Sequence, residues 1–154
     1  MPRPLYIVCC EAGSEDRRTG LLSHFQLYEK ITLRRLPLPQ GRPVVMSLPM
    51  RVVAVWMKFP DDPQEQEYDF EMAFYLPDGR EVIPHRGTFA FEPAAWQYRI
   101  AVHANTFPPG LTTGTFRIEC RIRRAGTTED WVRQDYPILV EEENIEEPAE
   151  EANQ

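Results

Sequence analysis

The chain has 154 residues, 42% of them hydrophobic and 27% charged, with 15 prolines and 8 glycines. This is enough apolar material for one self-sufficient globular domain and too much for a fully disordered chain. The formal charge of −7 comes from the C-terminal end: residues 141–154 hold seven glutamates and no base, which leaves 17 acids against 17 bases in the body. A neutral body has no basic field for nucleic acid, and the acidic end repels phosphate. Of the 17 bases only Lys30 and Lys58 are lysines, an arginine bias that points first to genome composition and second to an Arg-lined face.

Three cysteines, Cys9, Cys10 and Cys120, are too few and too irregular for a secreted disulfide scaffold. The apolar run Leu5–Cys10 is too short for a signal peptide, and no run approaches the ~18 residues of a membrane span. The expected location is the cytoplasm.

Taken in chain order, the pattern is strand after strand. Leu5–Cys10 is a continuous apolar run, expected to be a strand buried on both faces. Glu11–Thr19 is polar and holds Gly13, so a loop is expected there. Gly20–Ile31 reads as one strand, with Leu21, Phe25, Leu27 and Ile31 on its apolar face and His24, Gln26, Tyr28 and Lys30 opposite. Residues 36–49 carry Pro37, Pro39, Pro43 and Pro49, which forbid a helix and favour a crossing segment. In Met50–Phe59 the alternation sets Val53, Val55, Met57 and Phe59 against Arg51, Trp56 and Lys58, which places Trp56 outward.

Tyr68–Leu76 alternates plainly, and Pro77-Asp78-Gly79 closes a tight turn into Arg80–Ile83. Arg86–Phe91 is a further short strand, Glu92–Gln97 one helical turn, and Tyr98–Ala104 a strand. Gly114–Arg123 sets Phe116, Ile118, Cys120 and Ile122 toward a core and Arg117, Glu119, Arg121 and Arg123 toward water. Trp131–Val140 returns after the Ala125–Thr128 turn, with Pro137 demanding an edge or a bulge. About nine short strands with period-2 patterning and no 3.6 period predict an all-β, antiparallel two-layer β-sandwich over residues 1–140. A flattened β-barrel is the alternative, and 141–154 is expected to be an acidic disordered tail.

Phosphate-binding glycine loops, zinc-protease, nucleophile-elbow and paired-cysteine motifs are all absent. His24, His85 and His103 lie on different segments and are expected to sit apart, so no metal or other cofactor is expected. Cys9 or Cys10 with His24 is the one conceivable nucleophile–base pair, but apolar flanks raise a thiol pKa, and core packing is the favoured reading. The acidic loops around Glu11, Glu15 and Asp16, and around Asp61, Asp62, Glu65 and Glu67, are read as solvated rather than calcium-binding. Trp56, Trp96 and Trp131, with Tyr75 and Tyr98, are the candidates for a flat sugar platform. Trp56 and Tyr28 are the leading candidates for a protein-binding surface.

Gly20–Ile31 resembles a strand near the start of small uncharacterised bacterial proteins, in which a similar strand precedes a proline-rich crossing. The later order is similar too: a hairpin at Pro77-Asp78-Gly79, then Pro109-Gly110 before Thr115–Glu119. Gln26 and Glu29 stand where that pattern tends to have Gly and Asp. The resemblance implies a β-sandwich with no assigned activity and transfers no site residue. The expected function is a non-enzymatic cytoplasmic binding or assembly module with a protein partner or a homo-oligomer. No nucleic acid or membrane is expected, and the small-molecule ligand is unknown. The alternatives are a carbohydrate-binding module or a metal- or Cys/His-dependent hydrolase.

Overall fold

A computed structural model of the chain describes residues 1–16, 18, 22–33, 47–63, 65–106 and 111–143. Among the described residues there are nine strands: β1 Arg3–Glu15, β2 Leu22–Leu27, β3 Lys30–Leu33, β4 Ser47–Met57, β5 Glu67–Tyr75, β6 Glu81–Ala90, β7 Gln97–Thr106, β8 Gly114–Arg124 and β9 Val132–Glu142. They form a four-stranded sheet, β2-β1-β4-β7, and a five-stranded sheet, β3-β9-β8-β5-β6. The sheets pack face to face and do not close on each other, so the fold is a β-sandwich and the barrel alternative falls. No α-helix occurs among the described residues.

The strand inventory differs from the sequence expectation in two compensating ways. Gly20–Ile31 is not one strand: its described part is β2 in the first sheet and β3 in the second, with Gln26 at φ 55° where the chain turns. Arg80–Ile83 and Arg86–Phe91 are instead one strand, β6, which absorbs Pro84 at a register shift. The pairing is also not wholly antiparallel, because β3 runs parallel to β9. Glu92–Gln97 makes a plain turn closed by Ala95 N–H donating to the Glu92 carbonyl at 2.9 Å. Most of the proline-rich crossing (34–46) and the C-terminal end from 144 lie outside the described residues, though β9 itself runs on through Glu141 and Glu142.

Prolines that fall inside strands sit where a ladder bond is dispensable. Pro4 and Pro49 mark register shifts in β1 and β4. Pro137 lies in the part of β9 that precedes its pairing with β3, which begins at Leu139. The turn at Pro77-Asp78-Gly79 forms as its residues require. Gly79 takes φ 85°, and Leu76 N–H donates to the Arg80 carbonyl at 2.9 Å.

Between the sheets lie Ile7 and Cys9 of β1, Val52, Ala54 and Trp56 of β4, and Ile100 and Val102 of β7. They face Phe70, Met72 and Phe74 of β5, Phe116, Ile118, Cys120 and Ile122 of β8, and Ile138 and Val140 of β9. The inward half of the β8 expectation holds at all four positions, but Glu119, expected to face water, is 2% exposed. The β4 expectation is inverted: Trp56 is 0% exposed and points inward. Its indole nitrogen has no oxygen or nitrogen partner and faces the Cys120 thiol, a weak acceptor.

With Trp56 inward, Val53 and Val55 face out, yet each is only 1% exposed. The far half of β1 and β2 covers them. An unbent β1 would carry Glu15 about 16 Å beyond Cys10. Instead Glu15 pairs with Arg99 at 2.6 Å, and Arg99 stands opposite Val55, four residues back along β4. The β1–β2 hairpin therefore folds back over the outer face of its own sheet. Gly13, Leu22 and His24 form its half-buried underside, and Phe25 is exposed on top. Glycine at 13 suits this close approach: a Cβ there would lie 3.0 Å from the Ser23 carbonyl oxygen and would push aside the tip of the Arg51 side chain, 2.7 Å away. Glu11–Thr19, expected as a loop, is thus strand as far as Glu15.

Trp56→Ala should cost about 3–5 kcal/mol, the range for deleting a fully buried large aromatic side chain. Urea unfolding of the two proteins measures it, and a loss below about 1 kcal/mol contradicts the inward placement.

Candidate functional site

Two side-chain clusters have the geometry of a site, one on the outer face of each sheet. The first lies under the folded-back hairpin. Cys10 and Cys9 point to opposite faces of β1, as adjacent strand residues must. Cys10 is on the outer side, fully buried, with its Sγ 3.8 Å from His24 Nδ1 and 3.6 Å from the Arg51 carbonyl oxygen. His24 also meets the Tyr6 ring edge-on, 6.0 Å between centroids. The conceivable Cys–His pair is therefore a real contact.

Its electrostatics do not make a nucleophile. Burial pushes the Cys10 thiol up, and the Arg51 charge only partly opposes that. Burial first, and then Arg51, push the His24 imidazole down. Both groups are held neutral, the reverse of the thiolate–imidazolium state that attack requires. His85 lies apart beside Phe70, 5.7 Å between rings, and His103 is exposed on β7. Among the described residues no three His, Cys, Asp or Glu side chains gather for a metal. Asp62 of the second acidic loop is buried and engaged by the Met1 ammonium and the Phe59 N–H.

The second cluster covers the outer face of the five-stranded sheet. Antiparallel pairing of β5 with β8 sets Asp69 opposite Arg123, Glu71 opposite Arg121 and Tyr75 opposite Arg117. Arg121 is the hub. It donates from Nε and Nη2 to Glu71 at 2.8 and 2.6 Å, pairs with Glu81 at 3.0 Å, and reaches the Tyr75 hydroxyl at 3.2 Å and Glu119 at 3.4 Å. Burial by itself would lower the Arg121 guanidinium pKa, but the bond and charge of Glu71 outweigh it and hold the guanidinium above its ordinary value. Glu119, 2% exposed, is the most buried acid of the group.

Trp131, at the head of β9, lies across this ladder. Its ring sits 4.4 Å from the Arg123 guanidinium carbon and 5.4 Å from that of Arg121. Between the indole and β6 runs an open groove of about 280 Å³, lined by Asp69, Glu71, Arg86, Thr88, Arg123 and Trp131. The sequence already set the acids of β5 and the arginines of β8 outward. What went unread was that Asp69, Glu71 and Arg121, Arg123 are charge-complementary at matching intervals, which is itself a signal for pairing the two strands.

The residues expected to bind behave otherwise. Trp56 is sealed in the core and offers no surface in the monomer. Tyr28 is half-buried, packs on the core edge and donates its hydroxyl to the Pro49 carbonyl at 2.9 Å, closing the gap between β2 and β4. The aromatics proposed as a sugar platform scatter. Tyr98 stacks on Phe89 in the interior at 4.1 Å, Tyr75 lies under Arg117 at 4.1 Å, and Trp96 stands alone and exposed beside β7.

Two outcomes follow. All three thiols should resist a thiol reagent at pH 8 in the native protein and react once it is denatured. Burial pushes Cys9 and Cys120 up to about 12 from an ordinary 9.0. Because their folded values are raised, the stability they contribute is complete below pH 9 and is lost as pH rises from there toward 12. A prompt native reaction at pH 8 contradicts this.

Arg121→Met should cost about 3 kcal/mol, since it strands Glu71 in a water-poor site and leaves the buried Glu119 with Arg117, 3.0 Å away, as its ion-pair partner. Arg117→Met should cost less, about 1 kcal/mol, because Arg117 is 38% exposed and the Glu119 that it pairs with at 3.0 Å keeps Arg121. Urea unfolding of both variants decides it. No protein-family model matches the chain, and no curated protein matches it either.

Proposed function

We propose that this protein is a non-enzymatic binding module whose recognition face is the outer side of the five-stranded sheet, with a protein partner. The observation that carries the reading is Trp131 laid on Arg121 and Arg123 beside an open groove. Tryptophan and arginine dominate binding hot spots, because each brings large contact area to a centre that loses water on association. Here Glu71 holds Arg121 in a hydrogen-bonded ion pair before any partner arrives, with Asp69 3.6 Å from Arg123, which lowers the ordering cost of binding. The resemblance to small bacterial β-sandwich proteins without assigned activity is part of the same proposal, and so is a cytoplasmic location. No helix among the described residues is long and apolar enough to cross a membrane.

A carbohydrate reading rests on the same tryptophan. One indole with Asp69, Arg86 and Thr88 in reach is a sugar-stacking arrangement on a small scale. The hydrolase reading has less support, because the one Cys–His contact is buried and neutral.

Trp131→Ala tests the proposal. Trp131 is only partly buried, so the variant should keep its fold and melt within about 5 °C of the wild type. It should lose at least about tenfold in affinity for a protein captured by the wild type from the native organism, equivalent to about 1.4 kcal/mol. Capture that persists unchanged in Trp131→Ala overturns this face as the recognition surface. Binding to a glycan array that disappears in the variant moves the assignment to carbohydrate.

A further inference from the structure

We infer that β7 is a self-association edge, through which two copies of this chain pair antiparallel into one continuous eight-stranded sheet. Unpaired strand edges are templates for another strand, and folded proteins normally blunt them with short length, proline, charged side chains (lysine above all) or a bulge. Three of the four edges here are blunted. Strand β3 has four residues. Strand β2 has six and contains Gln26 at φ 55°. Strand β6 carries Pro84 at a register shift.

Strand β7 carries one such device, the charged Arg99, and that charge is met by Glu15 of the same chain. Its ten residues, Gln97–Thr106, include no proline and no lysine. Its register with β4 is unbroken from Met57↔Gln97 to Met50↔Ala104. Among the described residues no strand pairs with its other side.

The strand is also self-complementary. A two-fold axis through Ala101 sets Ile100 against Val102 and Tyr98 against Ala104 on the inner side, which extends the apolar face from one copy to the next. On the outer side it sets Arg99 against His103 and Gln97 against Asn105, with Ala101 meeting its own copy on the axis. Ala101 is exposed and small, which leaves room among the described residues for the second backbone to approach. No acid lies on the strand to repel its copy, and the Arg99 charge is met by Glu15 within its own chain. At the head of the strand Trp96 is 59% exposed, a large aromatic placed to cover the end of the second copy's β7.

The occupant is a second copy because the axis through Ala101 opposes apolar residues to apolar residues on the inner side, Ile100 to Val102, and brings no acid against another acid on the outer side, the self-complementarity that an isologous interface requires. This inference does not rest on the Trp131 face, which lies on the other sheet.

The test is the mass in solution of the full chain and two variants. Wild type should show twice the chain mass by light scattering at concentrations up to about 0.2 mM, where mass action favours association. Ala101→Glu and Ala101→Lys each place like charges directly opposite on the axis. Each should be monomeric with an unchanged circular dichroism spectrum, because the substituted side chain points to solvent. An equimolar mixture of the two variants should regain the doubled mass, since Glu now faces Lys. A monomeric wild type overturns the inference, as does a dimer that survives both substitutions or a mixture that stays monomeric.

Discussion

The inward placement of Trp56 is the constraint on which the rest of the sandwich depends. It sits near the end of β4, an inner strand of the smaller sheet, and is the bulkiest side chain that solvent does not touch. Strand residues alternate faces, so this one choice fixes Val52 and Ala54 inward and Val53 and Val55 outward. Two buried valines on an outer face require a cover. The chain supplies one by bending β1 beyond Cys10 and laying the β1–β2 hairpin back over its own sheet, held by the Glu15–Arg99 pair. The cost of that cover appears on the hairpin's upper side, where Phe25 and Leu27 are about half exposed.

The hairpin also sets the topology. After Leu27 the chain has reached the margin of the smaller sheet. Tyr28 N–H donates to the Cys9 carbonyl at 2.9 Å, and the next residues cross to the other sheet as β3. There they join the last strand in parallel, Ile31 beside Val140, so an early segment locks the C-terminal strand into the core. Such a pairing links distant parts of the sequence and closes only when the rest of the fold is in place.

The two outer faces are finished in different ways. The smaller sheet's face is closed by its own hairpin, and the Cys10–His24 contact beneath it is a neutral packing contact. The larger sheet's face is left open and carries an ordered lattice of charge, with Arg121 bridging Glu71, Glu81 and Glu119. Such a lattice adds little net stability once desolvation is counted, but it holds long side chains in fixed positions. An open face topped by a tryptophan is what the proposed recognition role rests on.

The sequence by itself determined the all-β class, the turn at Pro77-Asp78-Gly79, the hairpin from β8 to β9 and the inward set Phe116, Ile118, Cys120 and Ile122. These are local properties: period-2 patterning with polar residues between, and turn residues whose backbone preferences need no distant partner. Only the tertiary structure decided the phase of β4, because Arg51–Met57 holds apolar residues at both parities and either face reads as a core. Only it split Gly20–Ile31 between two sheets, since alternation along a strand carries no information about which sheet it joins. The outer-face network was half legible, as acids on β5 and arginines on β8. Their meeting depends on strand register, a long-range quantity that one strand's pattern does not contain.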